Sequence, residues 1–322
     1  MINNSSVAEI AAILKNANTV AVACHVRPDG DALGSGLALC LALKNAGKSA
    51  YMLCEEEPPE RLKIFPAMEG TYRAIPDGVT PDLFVAVDSA ELSRIGIFAS
   101  QFAAFNGDTI NIDHHVSNPR YAKYNYVLPE STATCEIMAE IFDAAGFDIT
   151  KDVADLLALG LLTDSGNFTH NDVSAKTLTV AAKLKECGAD LSGIGYLMFT
   201  HQTKGRALLY ARVINHMRFE LDDKLVFLTV SQKDLEETGT DKSQTEGFVD
   251  FPLSIEGVEV SISLMEVNKM QYKASLRSKR IDVNAVASRF GGGGHKLASG
   301  CMLFGEYEEI IERLRYAVYQ QL

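Results

Sequence analysis

Short continuous apolar runs alternate with longer segments of helical period over the first half of the chain. Residues 20–23, 83–87 and 109–112 have the length and branched-residue content of buried strands. Val7, Ile10, Ile13 and Leu14 share one face of a helix over 6–17. The spacing predicts further helices over 37–48, closed by Gly47, and over 131–143, opened by a Ser/Thr cap and ended by Gly146. Two more follow over 152–162 and 177–188, and 48–53 reads as a strand. Strands alternating with helices predict a mostly parallel sheet.

The second half has a different rhythm. Residues 258–267 and 272–277 alternate with period two, 224–230 is strand-like, and helices are expected over 283–289 and 307–320. The fold class expected is α/β. A parallel-sheet domain spans 1–190, a connector without strand pattern spans 191–215, and a smaller α/β domain with a mixed sheet spans 216–322, with a cleft between the two domains. At 322 residues, two cores are the default.

A formal net charge of -12 argues against a basic face for duplex nucleic acid, but not against a small phosphate ligand held locally. Six cysteines are scattered with no Cys-x-x-Cys pair, which fits a reducing compartment. The first residues carry no basic stretch followed by an apolar core, so no signal peptide is expected. No apolar run reaches bilayer-spanning length, so a cytoplasmic protein without membrane contact is expected.

The chemistry gathers where the apolar runs stop. After 20–23 come His25, Asp29 and Asp31, on a stretch that Pro28 and Gly30 predict to be a turn. After 83–87 comes Asp88; after 109–112 come Asp113, His114 and His115; Asp164 ends the helix over 152–162. In a parallel sheet, ligands collect outside the carboxyl ends of the strands, so these groups converge. Imidazole with carboxylates suits manganese, magnesium or zinc. Six such groups suit two cations about 3.5–4 Å apart, the arrangement used for phosphoryl and phosphodiester hydrolysis.

Gly30, Gly34 and Gly36 do not form a dinucleotide fingerprint, because Asp29 and Asp31 stand where a pyrophosphate would approach. The acidic 55–57 run beside two prolines reads as solvated loop, and His170, His201 and His216 as packing or surface groups. In the second half, Gly291, Gly292, Gly293 and Gly294 expose backbone N–H groups that can wrap a phosphate. His295, Arg277 and Ser278 add a donor or stacking face, a fork and a hydroxyl; Lys279 and Arg280 add rim charge.

His25-x-x-x-Asp29-x-Asp31, Asp88, Asp113-His114-His115 and Asp164, in that order, resemble the DHH phosphoesterase family. Arg277-Ser278 followed by Gly291-Gly292-Gly293-Gly294-His295 resembles its associated C-terminal domain. Length and tail are similar to the two-domain nanoRNases, bifunctional enzymes acting on short oligoribonucleotides and on 3'-phosphoadenosine 5'-phosphate (pAp). The resemblance implies two divalent cations, manganese or else magnesium. His25 and Asp29 would hold one, Asp31, Asp164 and His114 the other, and Asp88 would bridge. His115 would face the scissile phosphate, with Asp113 orienting a neighbouring imidazole. Ser165 stands where the family often has Thr. The implied substrates are short RNA, including linear pApA, and pAp, and a homodimer is left open. The rivals are an exopolyphosphatase- or pyrophosphatase-like enzyme and a non-catalytic nucleotide sensor.

Overall fold

The computed structural model describes residues 4–322; Met1, Ile2 and Asn3, the first part of the start read above as lacking a signal peptide, lie outside the described residues. The chain divides into two compact units, Met1–His201 and Gln202–Leu322. Among the described residues no helix is long and apolar enough to cross a membrane.

The first unit is built on six strands: β1 (Thr19–Ala23), β2 (Ser49–Leu53), β3 (Thr71–Tyr72), β4 (Leu83–Val87), β5 (Asp108–Asp113) and β6 (Tyr124–Val127). They pair in the order β3-β2-β1-β4-β5-β6, every pair parallel. β1, β4 and β5 are buried along almost their whole length, as the unbroken apolar runs require. The helices are α1 (Val7–Asn16), α2 (Gly30–Asn45), α3 (Ala99–Ala103), α4 (Thr134–Ala145), α5 (Lys151–Asp164), α6 (Ala175–Glu186) and α7 (Leu191–Gly195). A core drawn from α1, α2, α4 and α5 packs against Val20, Val22, Val85, Val87, Ile110 and Ile112; the alternate residues Ala21, Phe84 and Ala86 face a smaller cluster with Phe98 and Phe102. Strand order reverses between β1 and β4, so the crevice beyond their carboxyl ends is where side chains from separate segments can meet.

Two sequence expectations are corrected here. The turn predicted over 28–31 is the start of α2, which begins at Gly30 rather than near residue 37. Asp29 stands at the cap and its Oδ1 accepts the N–H groups of Asp31 and Ala32, each at 3.1 Å. Gly30 is needed for space: a Cβ there would lie 2.4 Å from Thr163 Oγ1 on α5. The Ser/Thr cap predicted for α4 is absent too. Ala133 occupies the cap position and caps nothing with its side chain.

The second unit holds α8 (Lys204–Asn215), β7 (Arg218–Glu220), β8 (Leu225–Val230), α9 (Gln232–Thr238), β9 (Val260–Asn268), β10 (Gln271–Ser278), α10 (Val283–Ser288), β11 (Gly293–His295), β12 (Ala298–Phe304) and α11 (Tyr307–Tyr319). Its sheet runs β11-β12-β10-β9-β8-β7 and is mixed, with β8 and β9 parallel and the other pairs antiparallel. One face packs α10 and α11 over Val260, Ile262, Leu264, Ala274 and Leu276. The segment expected as a connector, 191–215, is helical, and the boundary between units falls after His201.

Candidate metal centre

The turn after β1 places His25 almost out of solvent, at 6 % exposure. Its Nδ1 lies 2.9 Å from the Val26 carbonyl, which can only accept, so Nδ1 carries the proton. That leaves Nε2 as the free lone pair, 3.4 Å from Asp88 Oδ2 and 3.6 Å from Asp29 Oδ2. Asp29 therefore divides its oxygens: one caps α2 and the other turns into the site.

Asp31, on the first turn of α2, is fully buried. Its Oδ2 accepts Thr134 N–H at 2.6 Å and its Oδ1 accepts Cys135 N–H at 2.9 Å. This carboxylate is the cap that α4 lacks locally. It satisfies two N–H groups at a helix start, where negative charge is favoured. α5 crosses close by, because a Cβ on Gly160 would lie 2.5 Å from Asp31 Oδ1.

Asp88 follows β4 in a left-handed conformation with φ 50, uncommon for a non-glycine residue. Its backbone N–H is held by the Ile112 carbonyl at 3.0 Å, and the Thr134 hydroxyl donates to Oδ1 at 3.1 Å. With the carboxylate so fixed, Oδ2 faces His25 at 3.4 Å and Oδ1 faces His114 Nε2 at 3.6 Å. His114 Nδ1 meets the Ser131 carbonyl at 3.2 Å, which again frees Nε2, here 3.4 Å from Asp164 Oδ2. Asp164 sits on the last turn of α5.

Donor atoms of His25, Asp29 and Asp88 lie within 4.8 Å of one another, as do those of Asp31, His114 and Asp164. A third grouping, Asp88 with His114 and His115, is equally tight. It is the weaker donor set, because His115 Nδ1 is committed to Asp113 Oδ1 at 2.7 Å. All six sequence-predicted ligands and the Asp113–His115 pair are thus in one place.

The electrostatics test whether cations fit. Burial, then repulsion from Asp31, Asp88 and Asp29, pushes the Asp164 carboxyl up to about 11. Burial and the Asp88 charge push Asp31 up to about 7. Burial opposes charge on His25, yet the Asp29 and Asp88 carboxylates raise it to about 10. A cluster this acidic and this dry draws protons; divalent cations would replace those protons and cancel the repulsion. The donor set, with each His oriented by a carbonyl behind it, fits such ions.

Behind His115 lies a layer the sequence did not reveal. Asp113 is fully buried, and Asn118 Nδ2 donates to its Oδ2 at 2.6 Å and to Asn111 Oδ1 at 2.7 Å. Asn111 reaches the Tyr121 hydroxyl at 3.1 Å, which donates to the Ser89 carbonyl. Burial works against the Asp113 carboxylate, but hydrogen bonds from His115 and Asn118 hold it below its usual value. The Asp113 bond in turn raises His115 above the usual imidazole value. Asn111 lies inside a predicted strand and Asn118 in a loop; only the polar residue within an apolar run hinted at either.

In the second unit, Arg277, Ala298 and His295 occupy one row across β10, β12 and β11. Residues directly opposite share a sheet face, so Arg277 and His295 flank the small Ala298. Arg277 Nε is 3.3 Å from Asp250 Oδ1, and His295 is exposed. Ser278 is buried, and its oxygen accepts the N–H groups of Arg280 and Ile281 at 3.0 and 2.9 Å, which shapes the turn. The glycines are partly explained by the hairpin: Gly293 and Gly294 pair with Gly300 and Ser299, and a Cβ on Gly292 would lie 2.2 Å from the Gly300 carbonyl oxygen. Gly291 at φ 72 and Gly294 at φ 152 take backbone angles that side chains disfavour.

Residues 19–161 match the model of the DHH family, N-terminal domain, and residues 222–320 match the DHHA1 domain. The Thermus thermophilus protein named bifunctional oligoribonuclease and PAP phosphatase NrnA is 33% identical over 97% of this chain and 93% of its own length. The Bacillus subtilis protein of the same name is 23% identical, covering 89% of this chain and 90% of its own. A solved exopolyphosphatase-related protein from Bacteroides fragilis is 28% identical with a TM-score of 0.85, covering 98% of this chain and 95% of that one. The chain belongs to the DHH family of phosphoesterases, its second unit being a DHHA1 domain.

Proposed function

We propose that this protein is a manganese-dependent phosphoesterase that releases mononucleotides from very short RNA and removes a phosphate from pAp. One observation carries the reading: Asp88 offers one carboxylate oxygen to each of two donor groups, His25–Asp29 and Asp31–His114–Asp164. Two cations held there would supply Lewis acidity toward phosphoryl oxygens and water. The chain's own residues do the rest. The carbonyls of Val26 and Ser131 keep His25 and His114 in the tautomer with Nε2 free. Asp113 holds the His115 Nδ1 proton, so Nε2 of that ring is directed away from Asp113 and can hold a phosphoryl oxygen or pass a proton to the leaving oxygen. Arg277, Gly291, Gly292, Gly293, Gly294 and His295 form the surface that takes the nucleotide part of the substrate, with Arg277 and His295 either side of Ala298, while the buried Ser278 hydroxyl shapes the turn that follows Arg277. The names carried by the Thermus thermophilus and Bacillus subtilis relatives support this substrate class.

A second reading, hydrolysis of polyphosphate, is favoured only by the name that the Bacteroides fragilis neighbour carries. One assay separates the two: purified protein with manganese, given a labelled RNA dinucleotide, pAp, pyrophosphate and polyphosphate. Turnover of the first two, abolished in Asp31→Ala and Asp113→Ala, supports the proposal. Turnover of the inorganic substrates alone supports the rival. Binding of pAp without phosphate release would point to a sensor.

A further inference from the structure

The Ser/Thr run over 131–134 does not cap α4 with a side chain, and its use lies elsewhere. From Ser131 to Cys135 the chain meets three of the six donors. The Ser131 carbonyl faces His114 Nδ1 at 3.2 Å, the N–H groups of Thr134 and Cys135 hold the two oxygens of Asp31, and the Thr134 hydroxyl donates to Asp88 Oδ1. None of these bonds goes to His25 or Asp29. Asp88 Oδ1 is also the oxygen that faces His114, whereas Oδ2 faces His25. The run therefore serves one donor group, Asp31–His114–Asp164, and that group's side of the Asp88 carboxylate.

Within that run Thr132 points its hydroxyl away from the donors. Its Oγ1 donates to the Asp172 carbonyl at 2.9 Å and lies 2.9 Å from Thr177 Oγ1, on the first turn of α6. The Thr177 hydroxyl donates to Glu136 Oε2 at 2.8 Å. Its single proton is thereby committed, so at the contact between the two threonines Thr132 is the donor and divides its proton between Thr177 and the Asp172 carbonyl. Thr177 Oγ1 also accepts Ser174 N–H at 3.1 Å. Thr132, Thr177 and Glu136 are all buried, and Glu136 Oε1 has no hydrogen-bond partner among the described residues. A carboxyl group kept out of water with one oxygen unpaired opposes folding. Its place here follows from what it holds. It ends a line of hydroxyls that anchors Thr132, and Thr132 shares a rigid peptide plane with the carbonyl that orients His114.

Resting on the two-cation phosphoesterase reading above, we infer that Thr177 and Glu136 are positioning residues. Through Thr132 they hold the Ser131 carbonyl against His114 and so keep the Asp31–His114–Asp164 group ready for its cation. Neither touches a cation or substrate. Their reach is selective, because His25 and Asp29 take no bond from the run they anchor.

The test uses full-length protein, as wild type, Thr177→Val, Thr132→Val, Thr177→Ser and Ser174→Ala, compared by thermal melts. Valine keeps the shape of threonine without its hydroxyl. Calorimetric titration with manganese should resolve two affinities in wild type. In T177V and in T132V one should fall at least about tenfold while the other stays within about twofold. T177S, which keeps the hydroxyl, should restore both. T177V combined with T132V should bind no worse than T132V alone, because both remove the same link. S174A removes the side-chain cap of α6 and leaves the line of hydroxyls in place, so it should melt earlier with both affinities unchanged. Turnover of pAp in T177V should fall about tenfold at limiting manganese and recover as manganese is raised. Two unchanged affinities in T177V and T132V overturn the inference, as does an equal fall in both. If wild type binds two ions but hydrolyses no ester, the phosphoesterase reading fails by itself and the affinities still decide. If wild type shows fewer than two affinities, solvent exchange of the His114 ring Nδ1–H in metal-free protein decides, with that signal assigned by its loss in His114→Ala. Slow exchange in wild type and T177S with fast exchange in T177V upholds the positioning role, and equal exchange in all three refutes it.

Discussion

The two units treat their polar groups in opposite ways. In the first, Asp31, Asp88 and Asp113 are 0 to 2 % exposed and each carboxylate accepts a bond from a neighbouring N–H, hydroxyl or amide. In the second, Arg277 is half-buried, and Gly293, Gly294 and His295 are exposed on an edge hairpin. The difference follows from what each must hold. Closely spaced charged donors stay in position only if the fold fixes them before the ion arrives. On the proposed function, a face that takes the nucleotide must stay open, and its groups find partners when a ligand comes. Substitutions in the first unit should therefore damage turnover, and substitutions in the second should damage substrate affinity.

The largest break in that contrast would come at Asp88. Asp88→Asn replaces one of the two oxygens with a donor that cannot ligate, and kcat should fall by more than about a thousandfold. The fold should survive, because Asn retains an acceptor for the Thr134 hydroxyl; steady-state kinetics with a thermal melt check both. Asn118→Ala is the next step down. It removes the amide that orients Asp113 behind His115, and kcat should fall about ten- to a hundredfold with KM little changed. His295→Ala in the second unit should do the reverse: KM for an RNA dinucleotide rises about tenfold while kcat holds near wild type. An equal loss in kcat would erase the division between units.

Acidity sharpens the comparison further. In the ion-free cluster Asp164 and Asp31 have raised values, about 11 and about 7, so protons are bound there that a cation must expel. A group with a raised value holds its proton below that value, so cation binding weakens as pH falls through it. Apparent manganese affinity should rise by at least about tenfold from pH 6 to pH 8, read by calorimetry together with the protons released. A flat profile would mean that these carboxyls do not ligate.

How much of this was legible in sequence follows the range of each interaction. The strands, the helical faces and the His and Asp residues at their ends carry local signatures, so the parallel sheet and the six side chains that come together could be read directly. Asp31 as the cap of α4 could not, because its partners lie more than a hundred residues away and Ala133 leaves no capping signal. The expected Ser/Thr cap failed for that reason, since a distant carboxylate satisfied the backbone where local rules looked for a neighbour; the expected turn at 28–31 failed because Asp29 caps α2 locally and the helix opens at Gly30. The Asn118–Asn111–Tyr121 layer and the bond from Ile97 N–H to the Glu55 carboxylate are equally non-local. The glycines over 291–294 suggested a phosphate cradle, yet Gly292 also serves the close packing of a hairpin.

The central claim is that side chains from four separate segments gather two divalent cations around Asp88. Equilibrium dialysis of the full-length protein against manganese, with metal counted per chain and electron paramagnetic resonance recorded on the same samples, tests it most directly. Two ions per chain with a spin-coupled signal, and loss of that coupling in Asp88→Asn, is the predicted result. Fewer than two ions per chain, or two ions that are magnetically independent in the wild-type protein, would contradict it.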